Sequence, residues 1–474
     1  MEYLYEKLAS YGKQDYYGFH MPGHKRNCNV IRAELPYGID ITEIDGFDNL
    51  HHAEEIIKEA ELRAASLYHS EETHYLINGS TVGILSAVIG CTRKGGTILM
   101  ARNCHKSVYH AVFLNELHPV YIYPEFDETK ELNVEISPEK VEQLLNEHEE
   151  IQAVILTSPT YDGVLSEIDK IAEMVHKKKI PLIVDEAHGA HFGFHPYFPE
   201  NAITKGADVV IHSLHKTLPA LTQTALIHLN GQVIDRKRIR QYLQIFQTSS
   251  PSYVLMASMD ECLRVIAEHG TELFENYVNL LENTRRQLRR LKHIRLLETE
   301  RFDRSKIVLS VKDTVDKKEQ RSFTGKQLYE RLLSKYHLQM EMAAGSYVIA
   351  MTSPGDTEEG MNRLVKALSE IDQELEIRVS EKYQYELPRQ EQIYTSFEVE
   401  EKRASGMVQS KKWQDAIGRI SLEYAYLYPP GIPLIVPGER ITKDIVKIFM
   451  DYQEKGFSVE GISVENYIEV LINE

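Results

Sequence analysis

The chain has 474 residues, a formal net charge of −17 at pH 7 and a hydrophobic fraction of 42%. A chain of this length can bury a large core and divides into two or three structural units. The acidic balance argues against a nucleic-acid partner, which usually requires a basic face. No run approaches eighteen apolar residues, so we expect no membrane partner and no membrane-spanning helix.

Cysteine usage and the N-terminus both favour a cytoplasmic protein. The four cysteines (Cys28, Cys91, Cys104 and Cys262) are scattered without a CxxC pair. That pattern is typical of reduced, packed thiols rather than of a disulfide framework or a zinc site. The first fourteen residues carry charges and lack the apolar core of a signal peptide.

The predicted elements begin with an irregular N-terminal arm over residues 1–50. Residues 51–255 then form a large domain in which short apolar strands alternate with amphipathic helices. The predicted strands of this domain are Thr73–Ile77, Gly96–Met100, Ala153–Thr157, Pro181–Asp185, Asp208–His212 and Ala225–Leu229. The alternation predicts an α/β fold with a mostly parallel central sheet and helices on both faces.

The remainder of the chain predicts smaller α/β domains. Residues 256–375 form a small domain that begins within a long helical stretch, over about Ser252–Leu291, and ends in a helix near Thr357–Leu375. Its predicted strands are Ile307–Val311 and Ser346–Met351. Residues 376–474 combine a charged, strand-poor linker over 376–412 with a small C-terminal unit that contains the proline-rich stretch Tyr428–Pro433.

A glycine turn with two hydroxyls follows the first predicted strand. The segment Asn78–Gly83 places Ser80 and Thr81 where a helix begins. A helix N-terminus presents free backbone N–H groups and the positive end of the helix dipole, so the turn can bind a phosphate. The alternative is an ordinary helix cap, because Ser and Thr are preferred there anyway.

A carboxylate ends another predicted strand. Asp185 opens the sequence Asp-Glu-Ala-His, and ligands of open α/β sheets bind beyond the carboxyl ends of the strands. Such a carboxylate can keep a heteroaromatic nitrogen protonated. The same letters suggest a DEAH-box ATPase, but the chain lacks the phosphate loop that such an enzyme requires. A metal site at His188 and His191 lacks a third ligand, so we expect no metal.

A lysine follows the next predicted strand. Lys216 lies in a loop at the sheet edge, flanked by Ser213 and His215. Partial burial beside a histidine would favour the neutral amine that a Schiff base requires. Taken alone, a surface lysine is the better interpretation.

The three segments occur in the order phosphate turn, strand-end aspartate and strand-end lysine. This is the layout of a pyridoxal 5′-phosphate site, with a phosphate anchor, a partner for the pyridine nitrogen and a Schiff-base lysine. We therefore predict that Lys216 carries the cofactor and that Asp185 faces the ring nitrogen.

Several stretches resemble the Orn/Lys/Arg decarboxylase family of fold-type I pyridoxal phosphate-dependent enzymes. The matching stretches are His20–Lys25, Arg102–Ser107, Thr157–Gly163, Asp185–Gly189, Ser213–Thr217 and Tyr428–Leu434. The resemblance implies the fold-type I transferase fold, followed by smaller C-terminal domains. Because the chain starts almost at His20–Lys25, it resembles the short members of the family, which lack an N-terminal wing domain.

The resemblance also implies roles for individual residues. It places His105 stacked on the pyridine ring, although the sequence alone allows a packed or capping histidine, and His188 near the ring hydroxyl. The residues implied to bind the phosphate are Ser80, Thr81, Ser213 and His215. The segment Gln247–Pro251, with Thr248, resembles one that reaches the phosphate of a neighbouring subunit. It implies a homodimer with shared active sites, and higher oligomers stay open.

The implied reaction is decarboxylation of a basic L-amino acid. Arginine is favoured as the substrate over lysine or ornithine. The product is correspondingly agmatine, cadaverine or putrescine, together with CO₂. The reaction would be a step of polyamine biosynthesis. Glu423 and Glu439 are candidates to bind the distal cation of the substrate, with solvated surface carboxylates as the alternative. His20 and His24 are expected to line the entrance.

Two other functions stay open. One is an aminotransferase or aldolase of the same fold, although aminotransferases more often stack a bulky aromatic residue on the cofactor ring. The other is a catalytically silent, cofactor-binding regulatory protein, which the intact set of Lys216, Asp185 and His105 makes less favourable.

Overall fold

The computed structural model describes residues 2–14, 21–22, 24–25, 34–378, 389–427, 432–454 and 456–472. The helices are α1 Leu4–Lys13, α2 Ile56–Tyr68, α3 Gly79–Cys91, α4 Lys106–Leu114, α5 Pro138–Glu147, α6 Ile168–Lys177, α7 Leu214–Thr217, α8 Arg236–Phe246, α9 Tyr253–Leu288, α10 Gly325–Tyr336, α11 Glu358–Glu374, α12 Ser396–Ala404 and α13 Lys443–Glu454. In the described ranges, none of these helices combines the length and the apolar character needed to cross a membrane.

The strands are β1 Glu72–Leu76, β2 Thr97–Ala101, β3 His118–Ile122, β4 Phe126–Asp127, β5 Leu132–Asn133, β6 Ile151–Thr157, β7 Leu182–Asp185, β8 Val209–Ser213, β9 Ala225–Leu229, β10 Arg295–Leu297, β11 Lys306–Ser310, β12 Thr314–Asp316, β13 Met342–Ala343, β14 Tyr347–Met351, β15 Leu375–Ile377, β16 Val408–Lys412, β17 Ala425–Leu427, β18 Ile432–Ile435, β19 Val459–Glu460 and β20 Tyr467–Leu471. Each strand predicted in the large domain overlaps one of β1, β2, β6, β7, β8 and β9.

The chain divides into two compact units. The first unit comprises Met1–Cys91, Ile168–Val278 and Ser353–Gly355, and the second comprises Thr92–Glu167, Asn279–Thr352 and Asp356–Glu474. The domain boundaries expected after residues 50, 255 and 375 stay predictions.

In the first unit the strands lie in the order β1-β9-β8-β7. β7 and β8 are parallel, and Asp185 pairs in register with Ile211. β9 is antiparallel to β8 and to β1, so this part of the sheet is mixed rather than mostly parallel. The reason is the short connection between Ser213 and Ala225, because a parallel crossover needs a dozen or more residues.

In the second unit β6, β2 and β3 are parallel neighbours. A separate sheet has the order β10-β11-β14-β13, and all its pairings are antiparallel. The C-terminal part of this unit has its own apolar core, in which Trp413 packs against Phe449 with ring centroids 5.2 Å apart. That core explains why the short strands β16 to β20 are stable although each has few residues.

Two expectations about irregular segments are wrong. The N-terminal arm contains helix α1, because Leu4 and Leu8 lie one turn apart on one face and are both buried. The segment expected to be a linker contains α12 and β16 within its described residues. Helix α12 begins with a capping box in which Thr395 and Glu398 each bond to the other's backbone N–H, a signal at the sequence level that the charge of the segment concealed.

Candidate active site

Lys216 lies on the one-turn helix α7, which directly follows β8. Its Nζ atom is 3.0 Å from Nε2 of His188, which is buried in the loop after β7. Since β7 and β8 are parallel neighbours, their carboxyl ends meet at the same edge of the sheet and bring the two side chains together. The structure therefore places an amine and an imidazole within hydrogen-bond reach.

Asp185 is the last residue of β7 and is only 4% exposed. Its Oδ1 atom accepts a hydrogen bond of 3.2 Å from the backbone N–H of Ala187. Burial raises the pKa of this carboxyl, and the positive charge of Lys216 opposes that rise. The negative charge of this buried carboxylate is only partly compensated by its neighbours, so it is well suited to a cationic partner such as a protonated ring nitrogen.

The predicted phosphate turn adopts the expected geometry. Gly79 has φ +75°, which favours glycine, and its N–H donates to the carbonyl of Gln223 at 3.0 Å. Ser80 and Thr81 then occupy the first turn of α3, where Ser80 is half-buried and Thr81 is exposed. Their position leaves hydroxyl and backbone donors at a helix N-terminus, which suits an anion.

Two further hydroxyl side chains lie within three residues of Lys216 in the sequence. Ser213 and Thr217 are buried, and within the described part of the chain neither Oγ of Ser213 nor Oγ1 of Thr217 finds a hydrogen-bond partner. Buried hydroxyls without partners cost free energy, so such atoms point to a polar ligand. His215 is half-buried, and its Nδ1 is 2.9 Å from the carbonyl oxygen of Thr224. Burial lowers the pKa of His215, and the charge of Lys216 lowers it further.

Thr248 lies beside the phosphate turn of its own chain. Its backbone N–H donates to Oδ1 of Asn78 at 3.2 Å, and its carbonyl oxygen is 2.8 Å from Nε2 of His51. The side chain of Gln247 holds the end of β1 by accepting from the N–H of Ile77 at 2.9 Å. The expected reach of Thr248 to a neighbouring subunit stays a prediction.

His105 belongs to the second unit, where it caps helix α4. Its Nδ1 accepts from the backbone N–H of Ser107 at 3.3 Å and is 2.8 Å from the hydroxyl of the same residue. The capping role that the sequence left open is therefore present. The contact fixes the ring direction, whereas stacking on a cofactor stays a prediction.

The two carboxylates expected to bind the substrate cation are buried, so the alternative of solvated surface groups is wrong. Glu423 is 5% exposed, and its oxygens accept from the backbone N–H groups of Ser463 at 2.7 Å and Glu469 at 2.9 Å. Glu439 is fully buried and lies 3.2 Å from Nη2 of Arg102. Both carboxylates thus have partners within their own unit, and substrate binding by either stays a prediction.

The histidines of the first motif are described only in part. Nε2 of His24 is 3.1 Å from Oδ2 of Asp40, and its ring lies against Tyr37 with centroids 4.9 Å apart. His20 and residues 428–431 of the proline-rich stretch lie outside the described residues.

The first unit also contains a network of buried polar side chains that no sequence motif indicated. It joins Glu186, His212, His228 and Thr73, which lie after β7 and on β8, β9 and β1. The available signal was a histidine within each of two otherwise apolar strands. The pairing of the histidines requires the strand register, which the sequence does not show.

The donor set of the first unit fits pyridoxal phosphate. It supplies an amine, a buried carboxylate on the neighbouring strand, two buried hydroxyls for which the described residues offer no partner, and a helix N-terminus for the phosphate. Together with the α/β fold, these features define a fold-type I pyridoxal phosphate-dependent enzyme.

Comparison with known proteins specifies the class. Residues 3–320 match the family model described as "Orn/Lys/Arg decarboxylase, major domain", and residues 379–463 match the corresponding C-terminal domain. The chain belongs to the Orn/Lys/Arg decarboxylase family. It is a pyridoxal phosphate-dependent decarboxylase of a basic amino acid.

Individual relatives extend over nearly the whole chain. An arginine decarboxylase of Bacillus anthracis is 29% identical over 97% of this chain and 94% of its own length. An uncharacterized protein of Bacillus subtilis, YaaO, is 33% identical over 94% of this chain and 92% of its own length. The structure of the constitutive lysine decarboxylase of Escherichia coli superposes with a TM-score of 0.82 at 19% identity, covering 99% of this chain and 81% of that one.

Proposed function

We propose that this decarboxylase acts preferentially on L-arginine, ahead of lysine and ornithine, and releases agmatine and CO₂. The observation that carries the site assignment is the 3.0 Å contact between Lys216 and His188 at the edge of the strand pair that also holds Asp185. The preference for arginine is supported by relatives named arginine decarboxylase, which align over 97% of the chain.

Each residue of the first unit has a chemical task in this proposal. Lys216 would hold the cofactor through Nζ, and His188 is placed to accept or return the proton at Nζ. Asp185 would hold the proton on the ring nitrogen. When bound, pyridoxal phosphate would supply a sink for the electron pair that decarboxylation leaves on the α-carbon.

The phosphate is proposed to bind in the first unit as well. Ser80 and Thr81 would donate from the first turn of α3, and Ser213 and His215 from the segment before Lys216. The buried hydroxyl of Ser213, which lacks a partner within the described ranges, supports this assignment. His105 is assigned to stack on the ring on the strength of family membership.

Recognition of the substrate's distal cation is proposed for Glu423, and His24 is proposed to line the entrance. A Glu423→Gln variant separates recognition from a structural role. Loss of recognition raises KM for arginine at unchanged melting temperature, because a contact made equally in the ground state and the transition state is lost. A fall in melting temperature at unchanged KM would mean that the carboxylate serves Ser463 and Glu469 alone.

We also propose a cytoplasmic homodimer with shared active sites, higher oligomers being left open, that takes part in polyamine biosynthesis. The likeness of Gln247–Pro251 to an intersubunit phosphate segment supports the shared site. Mixing inactive Lys216→Ala protein with inactive Thr248→Arg protein tests it. Shared sites give partial recovery of activity in mixed dimers, whereas self-contained sites give none.

Borohydride reduction of the holoenzyme followed by peptide mapping tests the central assignment. The expected label is on Lys216, and Lys216→Ala should lose the label and at least about 10³-fold in kcat. Lys178→Ala is the matched control, because Lys178 is an exposed lysine of the same unit. Product analysis with arginine, lysine and ornithine, each with and without a 2-oxo acid, follows. Conversion that depends on the oxo acid would indicate an aminotransferase and contradict the proposal.

A further inference from the structure

A network of side-chain hydrogen bonds crosses the sheet of the first unit, from the end of β7 through β8 and β9 to β1. Oε2 of Glu186 is 2.7 Å from Nε2 of His212, and Nδ1 of His212 is 3.0 Å from Nε2 of His228. Nδ1 of His228 is in turn 2.8 Å from Oγ1 of Thr73. All four residues are buried. None of them has a task in the proposed reaction.

Every side chain in this hydrogen-bond network has hydrogen-bond partners. Both oxygens of Glu186 also accept from the backbone N–H of Ala202, at 3.0 and 3.1 Å. Oγ1 of Thr73 is 2.6 Å from the hydroxyl of Ser70, which is half-buried. Burying a carboxylate and two imidazoles costs desolvation free energy, and well-packed apolar residues often replace such pairs without loss of stability. A contribution to the stability of the fold therefore does not by itself explain why these polar residues are buried here.

The first link, between Glu186 and His212, lies at the ends of the two strands that carry the candidate active site. Side chains alternate along a strand, so His212 points to the face opposite to Ile211 and Ser213. Ile211 pairs with Asp185, and Glu186 meets His212 one residue further along. The Glu186–His212 contact thus joins the carboxyl ends of β7 and β8 on the face of the sheet opposite to Asp185. We call this face the rear face.

We infer that Glu186 and His212 are positioning residues, whose contact keeps Asp185 and the Lys216–His188 pair, carried by the same two strand ends, in one fixed geometry. This inference rests on the proposed roles of Asp185 and Lys216. The two strand ends carry Asp185 and Lys216, which would hold opposite ends of one ring. A shift of the ends by a fraction of an ångström would therefore misplace both groups relative to the cofactor.

The electrostatics agree with this geometry. Burial is the main reason that the pKa of Asp185 is raised, and Lys216 opposes it. Beyond these, the charge of Glu186 raises the pKa and that of His212 lowers it. The two residues of the first link therefore both act on the carboxylate proposed to hold the ring proton.

The test compares variants of Glu186 and His212 with a control variant of Thr73, at the other end of the hydrogen-bond network. Glu186→Gln removes the charge from the link between β7 and β8, and His212→Gln removes its imidazole, whereas Thr73→Val removes an equally buried hydrogen bond on β1. The readouts are the rate of pyridoxal phosphate release from the holoenzyme, its visible absorption spectrum, kcat, KM and the melting temperature.

We expect Glu186→Gln and His212→Gln to release the cofactor about 10- to 100-fold faster and to lower kcat by a similar factor. KM for the amino acid should change less than about 3-fold, because the substrate contacts are retained. The visible band should shift in both variants. Thr73→Val should lower only the melting temperature.

Cofactor release and kcat equal to wild type in the rear-face variants would overturn the inference, as would losses equal to those of Thr73→Val. Glu186→Asp keeps the charge but shortens the reach. It should give intermediate cofactor release, and a wild-type rate would again contradict the inference, even if the Gln variants do not fold. Absence of a borohydride label on Lys216 in the wild-type enzyme would instead refute the proposed function.

Discussion

Nζ of Lys216 lies 3.0 Å from Nε2 of His188. The loop after β7 carries the imidazole and helix α7 after β8 carries the amine, so their distance depends on the pairing of two parallel strands. An imidazole at this distance can donate to a neutral amine or accept from an ammonium, depending on its protonation state. The pair is therefore arranged to share the proton that Lys216 must lose and regain.

Replacing His188 by Asn should slow catalysis without loss of the fold. Asn can still form a hydrogen bond but cannot take up a proton, so we expect kcat to fall by about 10²-fold at a similar KM. Steady-state kinetics measure this change. His69→Asn is the control, because His69 is exposed and has φ +60°, which Asn tolerates. A kcat within twofold of wild type would exclude His188 from proton transfer.

Asp185→Asn should stabilise the apoenzyme and inactivate the holoenzyme. Burial raises the pKa of Asp185, so the folded state disfavours the ionised form, and stability is lost as pH rises through that raised value. The neutral variant avoids this loss, and its melting temperature at pH 7 should exceed that of wild-type apoenzyme by about 1–3 °C. Without the carboxylate, kcat should fall by about 10²-fold or more.

Calorimetry of the apoproteins at pH 4 and pH 7 checks the sign of this effect. The difference in melting temperature should grow with pH, because only the wild type becomes ionised. Asp169→Asn, at an exposed residue of α6, serves as the control. A variant that is less stable than wild type at pH 7 would contradict the prediction.

His74 should make stability fall in alkaline solution. Its ring nitrogens lie 3.2 Å from Glu61 and 2.6 Å from Glu72. Burial lowers the pKa of His74, but the two carboxylates outweigh it and raise the pKa to about 9. The stabilisation is complete below pH 6.5 and disappears as pH rises through 9. It is on the order of 3 kcal/mol.

Urea unfolding of wild type and His74→Gln from pH 6 to pH 10 measures this contribution. The stability difference between the two proteins should shrink across that range. His52→Gln changes an exposed histidine nearby and should behave as wild type. A difference that is independent of pH would show that His74 does not carry a charge in the folded state.

The buried pair of Arg102 and Glu439 should be essential for the stability of the second unit. Nη1 of Arg102 also donates to the hydroxyl of Tyr109 at 2.9 Å and to the carbonyl of Pro433 at 2.6 Å. Arg102→Met would leave Glu439 buried without a counter-charge and should cost about 3–5 kcal/mol. Arg403→Met breaks a half-exposed ion pair with Glu469 and should cost less than about 1 kcal/mol.

Chemical denaturation of both variants measures the difference. The double variant Arg102→Met/Glu439→Leu should recover part of the loss, since it removes both charges. If Arg102→Met were no more harmful than Arg403→Met, the buried charge of Glu439 would be compensated elsewhere.

Much of the candidate site was predictable because its signals are local. A run of apolar residues that ends in Asp185 or precedes Lys216 locates each residue at a strand end, and the helix signal after Asn78 does the same for the phosphate turn. Helix α1 and helix α12 were missed although their signals are also local. A single buried face in α1 and a capping box in α12 were obscured by neighbouring charges.

The hydrogen-bond network from Glu186 to Thr73 was not predictable in the same way. Thr73 and His228 are separated by 155 residues in the sequence, and their contact depends on β9 running antiparallel between β1 and β8. No pattern within one segment indicates that arrangement. The burial and pairing of Glu423 and Glu439 depend likewise on the packing of the C-terminal strands.

The amino-acid sequence by itself determined the class of chemistry, because strand ends, turns and helix starts are encoded by neighbouring residues. Only the tertiary structure decided which groups touch: that Lys216 meets His188, that Asp185 is buried enough to raise its pKa, and that Glu186 reaches His212. Those contacts arise from strand order and register, which depend on the simultaneous burial of side chains from distant parts of the chain.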